Sequence, residues 1–411
     1  MDIRPILSTL LRHKTAAALI VLEIALSCAI VCNALFLIGN RLERMQRPTG
    51  LAESEIVRIR VNGIARNEDA AAVTKADLAA LRGIPGVKSA SASLMVPFGG
   101  SSWNSGARLG KDQKISNLNL STYMGGPDLF ETLGLKLIAG RQFQQNELLE
   151  WETLQGPGFN GNIPVVLITK AVADKLYPGQ DPIGKGFYSW GDDPHRVIGV
   201  VDTLVRPNDN DGPAANGYSA IFPVNLTYES GNTYLLRVAD PSRRDEIMKT
   251  ALKILESSGP TRIIPEDDAK TFETMRNEYY RQDRAMAWML GVVIVALLVV
   301  TALGIVGLAS FWVQQRTKQI GVRRALGATR GQILRYFQTE NFLLATIGIV
   351  LGMLLAYAIN QLLMGKYELP RLPLIYLPVG AVLLWMLGQI AVYGPARKAA
   401  SVPPAVATRS A

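Results

Sequence analysis

Few side chains in this chain of 411 residues are spaced to do chemistry. The nearest match is Gly179-Gln180-Asp181-Pro182-Ile183-Gly184-Lys185-Gly186, which approaches the phosphate-cradling GxxxxGK[ST] loop. Gly186 stands where that loop needs a hydroxyl for magnesium, and Pro182 removes a backbone N–H from the cradle, so the stretch reads as a surface turn. The two histidines, His13 and His195, exclude a His-rich metal site. His195 follows Pro194 at a predicted strand start and reads as a surface polar group. Cys28 and Cys32 share a helix face in one apolar run, where neither meets a disulfide partner. The acidic run Glu266-Asp267-Asp268 reads as a solvated loop. With no nucleophile–base, HExxH or paired-carboxylate constellation, the chain is expected not to be an enzyme and to hold no metal or cofactor.

The elements that would position any function come from charge and hydropathy. Hydrophobic residues make up 48% of the chain and charged residues only 19%, against about 25% in soluble domains. The net charge of +9 suggests a nucleic-acid partner until it is located. Residues 40–287 hold 29 basic and 30 acidic side chains, which leaves 14 basic and 4 acidic in the rest. The surplus flanks the apolar segments. That is a membrane pattern, with no nucleic-acid partner implied.

Four segments are long and apolar enough to cross a bilayer, which takes roughly 20 helical residues. They lie at 16–38, 285–313, 342–363 and 375–393, the last being the shortest and containing Pro378. The length of the first and the charged residues after it favour an uncleaved anchor over a signal peptide. Arg4, Arg12 and Lys14 precede the first span; Arg316, Lys318, Arg323, Arg324, Arg330 and Arg335 lie between the second and third; Arg397, Lys398 and Arg409 follow the fourth. These put both termini (1–15 and 394–411) and the loop 314–341 in the cytoplasm. Residues 39–284 and the short loop 364–374 fall outside. The fold class is therefore membrane α-helical, with four transmembrane helices and a large extracytoplasmic α+β domain of two subdomains.

Within that domain two βαβ halves are predicted to share one four-stranded layer. The first has strands at 55–61 and 87–95 around a helix at 74–81 opened by Thr74; the second has strands at 233–238 and 262–264 around a helix at 241–257. Residues 100–230, rich in Gly and Pro with short strands at 165–168, 196–201 and 220–224, read as an inserted subdomain. Residues 271–284 carry no breaker, so one helix is expected to run from the domain into the second span.

Glu23 lies roughly 12 Å into the first span at 1.5 Å per residue, and an intramembrane acid is a functional candidate beside its plainer role as an interhelical contact. Asn33 is expected to bond between helices. The most organised stretch is Gln315-Arg316-Thr317-Lys318-Gln319-Ile320-Gly321-Val322-Arg323-Arg324-Ala325-Leu326-Gly327-Ala328-Thr329. Residues 317–326 read as a short amphipathic helix ended by Gly327, and Thr329 with Gln332 as a capping box opening the next helix. A short basic helix between two spans suits docking into a groove on a partner.

The run Arg316-x-Lys318-Gln319-Ile320-Gly321-Val322-Arg323-Arg324-Ala325-Leu326-Gly327-Ala328 closely resembles the pattern R-x-K-E-I-G-I-R-R-A-L-G-A of FtsX/MacB-type permeases of ATP-binding-cassette transporters. Leu133-Gly134-Leu135-Lys136-Leu137-Ile138-Ala139-Gly140-Arg141-Gln142-Phe143, Tyr177-Pro178-Gly179-Gln180-Asp181-Pro182-Ile183-Gly184-Lys185 and Pro395-Ala396-Arg397-Lys398-Ala399-Ala400 resemble further motifs of that family, in order. The resemblance implies a bacterial inner-membrane location and a mechanotransmission mechanism, with ATP and magnesium bound by a partner ATPase. On it, Arg316, Lys318, Gln319, Ile320, Gly321, Arg323, Arg324, Leu326 and Gly327 form a coupling helix contacting that ATPase. Only about 15 residues precede the first span, so the ATPase is expected on a separate polypeptide. A periplasmic adaptor and an outer-membrane channel are further implied partners.

Gln319 departs from the usual Glu, and Val402-Pro403-Pro404-Ala405-Val406-Ala407-Thr408-Arg409 departs from D-P-I-E-A-L-R. Both lie on the face expected to meet the ATPase, which points to a heterodimer with a second permease rather than two identical copies. The expected function is a permease subunit of an efflux or export complex. The alternative is a membrane sensor or regulator of a periplasmic partner, with or without an ATPase.

Overall fold

The computed structural model describes residues 14–63, 69–156, 159, 161–209, 212, 215–231, 233–258, 262–367 and 371–403. Arg4, Arg12, His13 and the tail from Pro404 lie outside them. From α1 (Lys14–Gln46) the chain enters β1 (Ile56–Arg60), α2 (Ala70–Arg82) and β2 (Val87–Ala92). An excursion follows: β3 (Asn104–Ala107), β4 (Leu118–Met124), α3 (Pro127–Leu133), β5 (Leu137–Gly140), β6 (Val165–Thr169), α4 (Lys170–Leu176), β7 (Gly186–Phe187), β8 (His195–Val201) and β9 (Ser219–Phe222). The return runs through β10 (Thr233–Val238), α5 (Arg244–Ser257), β11 (Ala269–Thr271) and α6 (Phe272–Tyr279). The last part comprises α7 (Arg281–Gln315), α8 (Thr317–Ala325), α9 (Arg330–Tyr367) and α10 (Tyr376–Ala400). Two bodies result: residues 47–281, and the segments 1–46 and 282–411 together.

In the first body a four-stranded sheet has the order β11-β1-β10-β2, each neighbouring pair antiparallel. β1–α2–β2 and β10–α5–β11 are two βαβ units, each with a strand of the other between its own two. The strand expected at 262–264 is not part of this sheet. Arg262–Ile263 pairs instead with Asn62–Gly63, because Arg262 is drawn inward to Asp77, with their side chains only 1% and 4% exposed. α2 starts earlier than expected, capped by Asp69, whose side chain accepts from the Ala72 N–H. Thr74, expected as its cap, is buried one turn inside; its hydroxyl donates to the Ala70 carbonyl and accepts from the Tyr228 N–H.

The excursion builds a mixed seven-stranded sheet, order β3-β4-β9-β6-β8-β5 with β7 on β8. Every residue of β6, Val165-Val166-Leu167-Ile168-Thr169, is buried, which is what a continuous apolar run in a sheet covered on both faces predicts. His195 corrects its expected place: it is fully buried, its Nδ1 2.7 Å from the Ile163 carbonyl, with its ring edge-on to Phe222 and Trp190. Asp267 is exposed, as a solvated run requires, while the partly exposed Asp268 pairs with Arg58 at 3.1 Å. The rod expected through 271–284 is interrupted at Tyr280, whose φ of −91° and ψ of 11° end α6. Its ring is buried there against Phe98, 5.8 Å away.

Among the described residues of the second body, α1, α7, α9 and α10 are long and apolar enough to cross a membrane. α1 packs on α9 and α10. α9 starts at Arg330, directly after the Thr329–Gln332 capping box as expected, and α10 continues to Ala400, through Pro395-Ala396-Arg397-Lys398, which the sequence reading assigns to the tail. Pro378 falls in the first turn of α10, where a missing N–H costs nothing.

Candidate functional site at the basic end of the membrane helices

α7 ends where Arg316 leaves helical geometry, and α8 follows at once. Gly327 ends α8 with φ of +98°, a conformation that glycine adopts without penalty. Its N–H bonds the Arg324 carbonyl at 3.2 Å, and the Ala328 N–H bonds the Arg323 carbonyl at 3.0 Å, the paired pattern of a Schellman cap. One residue on, Thr329 and Gln332 exchange side-chain and backbone bonds at 2.9 and 3.2 Å, opening α9. Local sequence thus sets both turns that hold α8 between two long helices.

The two faces of α8 differ. Ile320 and Gly321 are buried, with Ile320 in a cluster that includes Val313, Ile333, Phe337, Ala396 and Ala399. The former tail residues are therefore the wall against which α8 rests. Lys318, Gln319, Val322, Arg323, Leu326 and Gly327 are exposed, and Leu326 is 83% exposed. Arg323 lies over the Tyr336 ring at 4.9 Å, and Arg324 is half-buried. The residues expected to couple to a partner therefore form no single surface.

Arg316 is the clearest departure. Its side chain is 8% exposed and its Nη1 donates to both carboxylate oxygens of Glu340 on α9, each at 3.0 Å. The Trp312 ring lies 5.4 Å from the guanidinium carbon. Arg316 anchors the start of α8 rather than facing outward. Glu340, in sequence merely the first acid after a basic loop, is the residue that sequence reasoning missed.

Glu23 packs half-buried on Gly304 of α7. Asn33 donates to the Ala29 carbonyl on its own helix and to the Ala356 carbonyl on α9, at 2.9 and 3.2 Å, so it does bond between helices. Ser27 and Thr301 join α1 to α7 at 2.7 Å, and Arg41 pairs with Asp283 near the opposite ends of those helices. Gly348 and Gly352 of α9 lie against Ile24 and Cys28 of α1, a small-xxx-small contact readable in Gly348-Ile349-Val350-Leu351-Gly352. Cys28 and Cys32 share the face expected, as free thiols 3.9 Å apart. The glycine-rich run at 179–186 is a turn before β7: Ile183 N–H bonds the Asp181 carboxylate and Gly184 N–H the Val197 carbonyl, so those donors are already engaged.

Four apolar helices among the described residues, with a mixed α/β domain between the first two in sequence, define a membrane-type protein with one large inserted domain. The MacB-like periplasmic core domain family matches residues 17–254 and the FtsX-like permease C-terminal family matches residues 291–404. The chain belongs to the FtsX/MacB permease family, since the first match alone covers more than half of it.

Among curated relatives, the macrolide export ATP-binding/permease protein MacB of Neisseria gonorrhoeae is 28% identical over 60% of this chain and 36% of that protein. The pyoverdine export ATP-binding/permease protein PvdT of Pseudomonas syringae pv. tomato is 25% identical over 97% of this chain and 57% of that protein. The chain therefore spans about a third to just over half of these relatives' length. The ABC transporter permease YknZ of Bacillus subtilis is 27% identical over 99% of this chain and 98% of that protein. Among solved structures, the periplasmic region of MacB from Actinobacillus actinomycetemcomitans covers 58% of this chain and 97% of its own, at 17% identity and a TM-score of 0.34. The extracellular domain of YknZ covers 51% and 100%, at 18% identity and a TM-score of 0.32.

Proposed function

We propose that this chain is the permease subunit of an ATP-binding-cassette export complex, receiving motion from an ATPase on a separate polypeptide through α8. The observation that carries the reading is that one face of α8 is fixed and the other is exposed. Arg316–Glu340 and the Ile320 cluster hold it to α7, α9 and α10, while Lys318, Val322 and Leu326 are left in water. A short helix exposing a Leu that is 83% accessible beside basic side chains has the surface of a helix made to sit in a partner's groove. Force applied there enters α7 and α9 at their ends, and α7 continues the chain from the outer domain. The second permease in the complex is a related chain rather than an identical copy, given Gln319 in place of an acid. ATP and magnesium belong to the ATPase, and an adaptor and outer-membrane channel continue the route outward. Relatives named for a macrolide and for pyoverdine differ too much in cargo to assign one here.

The test is co-purification in mild detergent of an ATPase with wild type and with a Val322→Asp, Leu326→Asp double variant. Both positions are exposed, so the fold is left intact. Recovery of an ATPase and a second permease with wild type, and loss of the ATPase from the variant, supports the reading. A solitary membrane protein in both cases overturns it.

A further inference from the structure

The inserted subdomain holds a concavity of about 260 Å³, lined entirely by residues of the 47–281 body. Trp103, Trp151, Trp190 and Phe159 make its walls, with Met124 and Ile163, both almost fully buried, beneath. Three of the chain's six tryptophans therefore meet at one small site, and Trp103 leaves 47% of its surface in water. A large aromatic exposed beside two others signals a binding function more than packing.

The walls are held in place. Trp103 and Trp151 stand 5.9 Å apart at 53°, Trp190 is fixed on Phe222 at 4.6 Å, and the buried His195 lies edge-on behind Trp190. Thr122 donates to the Trp103 carbonyl at 3.1 Å. A pocket formed before its ligand arrives loses little ordering entropy on binding.

Its chemistry narrows the occupant. No lining residue is charged, so an ion entering would shed its hydration with no counter-charge to replace it. The Asn104 side-chain oxygen Oδ1 already accepts from Ser121 and Arg206. Gln155, exposed at the rim, can meet one polar end. The volume lies below the roughly 300–1,000 Å³ of drug-sized sites and suits a single ring system. We propose that this pocket binds an uncharged aromatic or alicyclic group, the apolar end of a ligand presented to the outer domain. Binding is measured without an ATPase, so it stands or fails apart from the function proposed above.

The probe is indole, titrated against the full chain in lipid nanodiscs with 5-fluorotryptophan replacing tryptophan and resonances assigned by single Trp→Phe changes. Trp288, Trp312 and Trp385 lie on α7 and α10 and report any partition of the probe into lipid. The expected result is a saturable shift of Trp103, Trp151 and Trp190 with the other three still. Trp103→Ala or Trp151→Ala should raise the dissociation constant by about tenfold, and the charged indole-3-acetate should bind about tenfold more weakly than indole. No shift, a shift only in the membrane tryptophans, or an affinity untouched by both substitutions overturns the proposal. Should Trp151→Ala fail to fold, Trp103→Ala, at an exposed rim position, carries the test.

Discussion

Arg316 and Glu340 are joined at 3.0 Å through both carboxylate oxygens, at the point where α8 leaves the membrane helices. With side chains 8% and 2% exposed, neither charge has water to fall back on. Removing one partner from such a pair costs about 3–5 kcal/mol, whereas replacing both with apolar groups is near neutral. Glu340→Gln and Arg316→Met are therefore each expected to lower the thermal midpoint in detergent steeply. The Arg316→Met, Glu340→Met double variant should recover most of the loss. Equal destabilisation in the double variant would show that the pair does more than neutralise itself.

Glycine spacing in α9 leads to a second prediction. A methyl at Gly352 would meet Cys28 Cβ at 2.5 Å and the Ala25 carbonyl at 2.6 Å, and one at Gly348 would meet Ile24 at 2.9 Å. Gly307 of α7 has nothing within 4 Å. Gly352→Ala is expected to cost about 1–3 kcal/mol by overpacking, and Gly307→Ala to be neutral or slightly stabilising. Unfolding of the two variants side by side in one detergent checks this; equal stability would mean that α1 and α9 do not need the close approach.

Much of this architecture is legible in the chain, for identifiable reasons. Hydropathy marks the four apolar helices because lipid demands long uninterrupted runs. Gly327, Thr329 and Gln332 announce their turns because caps are local chemistry, settled within four residues. The errors fall where a distant partner decides. Arg316 reads as one more cation of a basic loop until Glu340 claims it, and Arg262 reads as part of the four-stranded sheet, whereas it is held at Asp77 and its strand pairs with Asn62–Gly63. His195 looks like surface beside Pro194 because no local pattern reports Ile163, Phe222 and Trp190. Thr74 has a cap's chemistry, yet Asp69 lies one turn earlier and its hydroxyl serves Tyr228.

Asp77 supports a third prediction. Its carboxylate accepts from Arg262 Nη2 at 2.8 Å and from the Tyr234 hydroxyl at 2.6 Å, tying α2 to β10 and to the segment before β11. Burial first, and then the Asp77 charge, hold the Tyr234 hydroxyl well above its ordinary range, so it stays a donor. Asp77→Asn leaves Arg262 without a counter-ion and is expected to cost about 3–5 kcal/mol, whereas Tyr234→Phe, which removes one bond, should cost about 1–2 kcal/mol. Chemical denaturation followed through the outer domain measures both; a ranking in the other order would place the main tie at Tyr234.

His195 makes the acid side of the stability profile specific. Burial is the larger influence and lowers its affinity for a proton, with the Ile163 carbonyl bond opposing. Between that lowered value and the unfolded imidazole's 6.5 or so, the unfolded chain holds more protons than the folded one. Stability contributed by neutral His195 is therefore complete above about pH 6.5 and is lost as pH falls through that window. Replacing the imidazole with phenyl removes the titration while keeping a ring among Phe187, Trp190 and Phe222. His195→Phe should start lower at pH 8, because the Ile163 carbonyl loses its partner, and should decline less from pH 7 to 5 than wild type. Thermal midpoints of both proteins across that range decide it: parallel curves would assign the acid sensitivity to other groups, and a steeper fall in the variant would reverse the sign argued here.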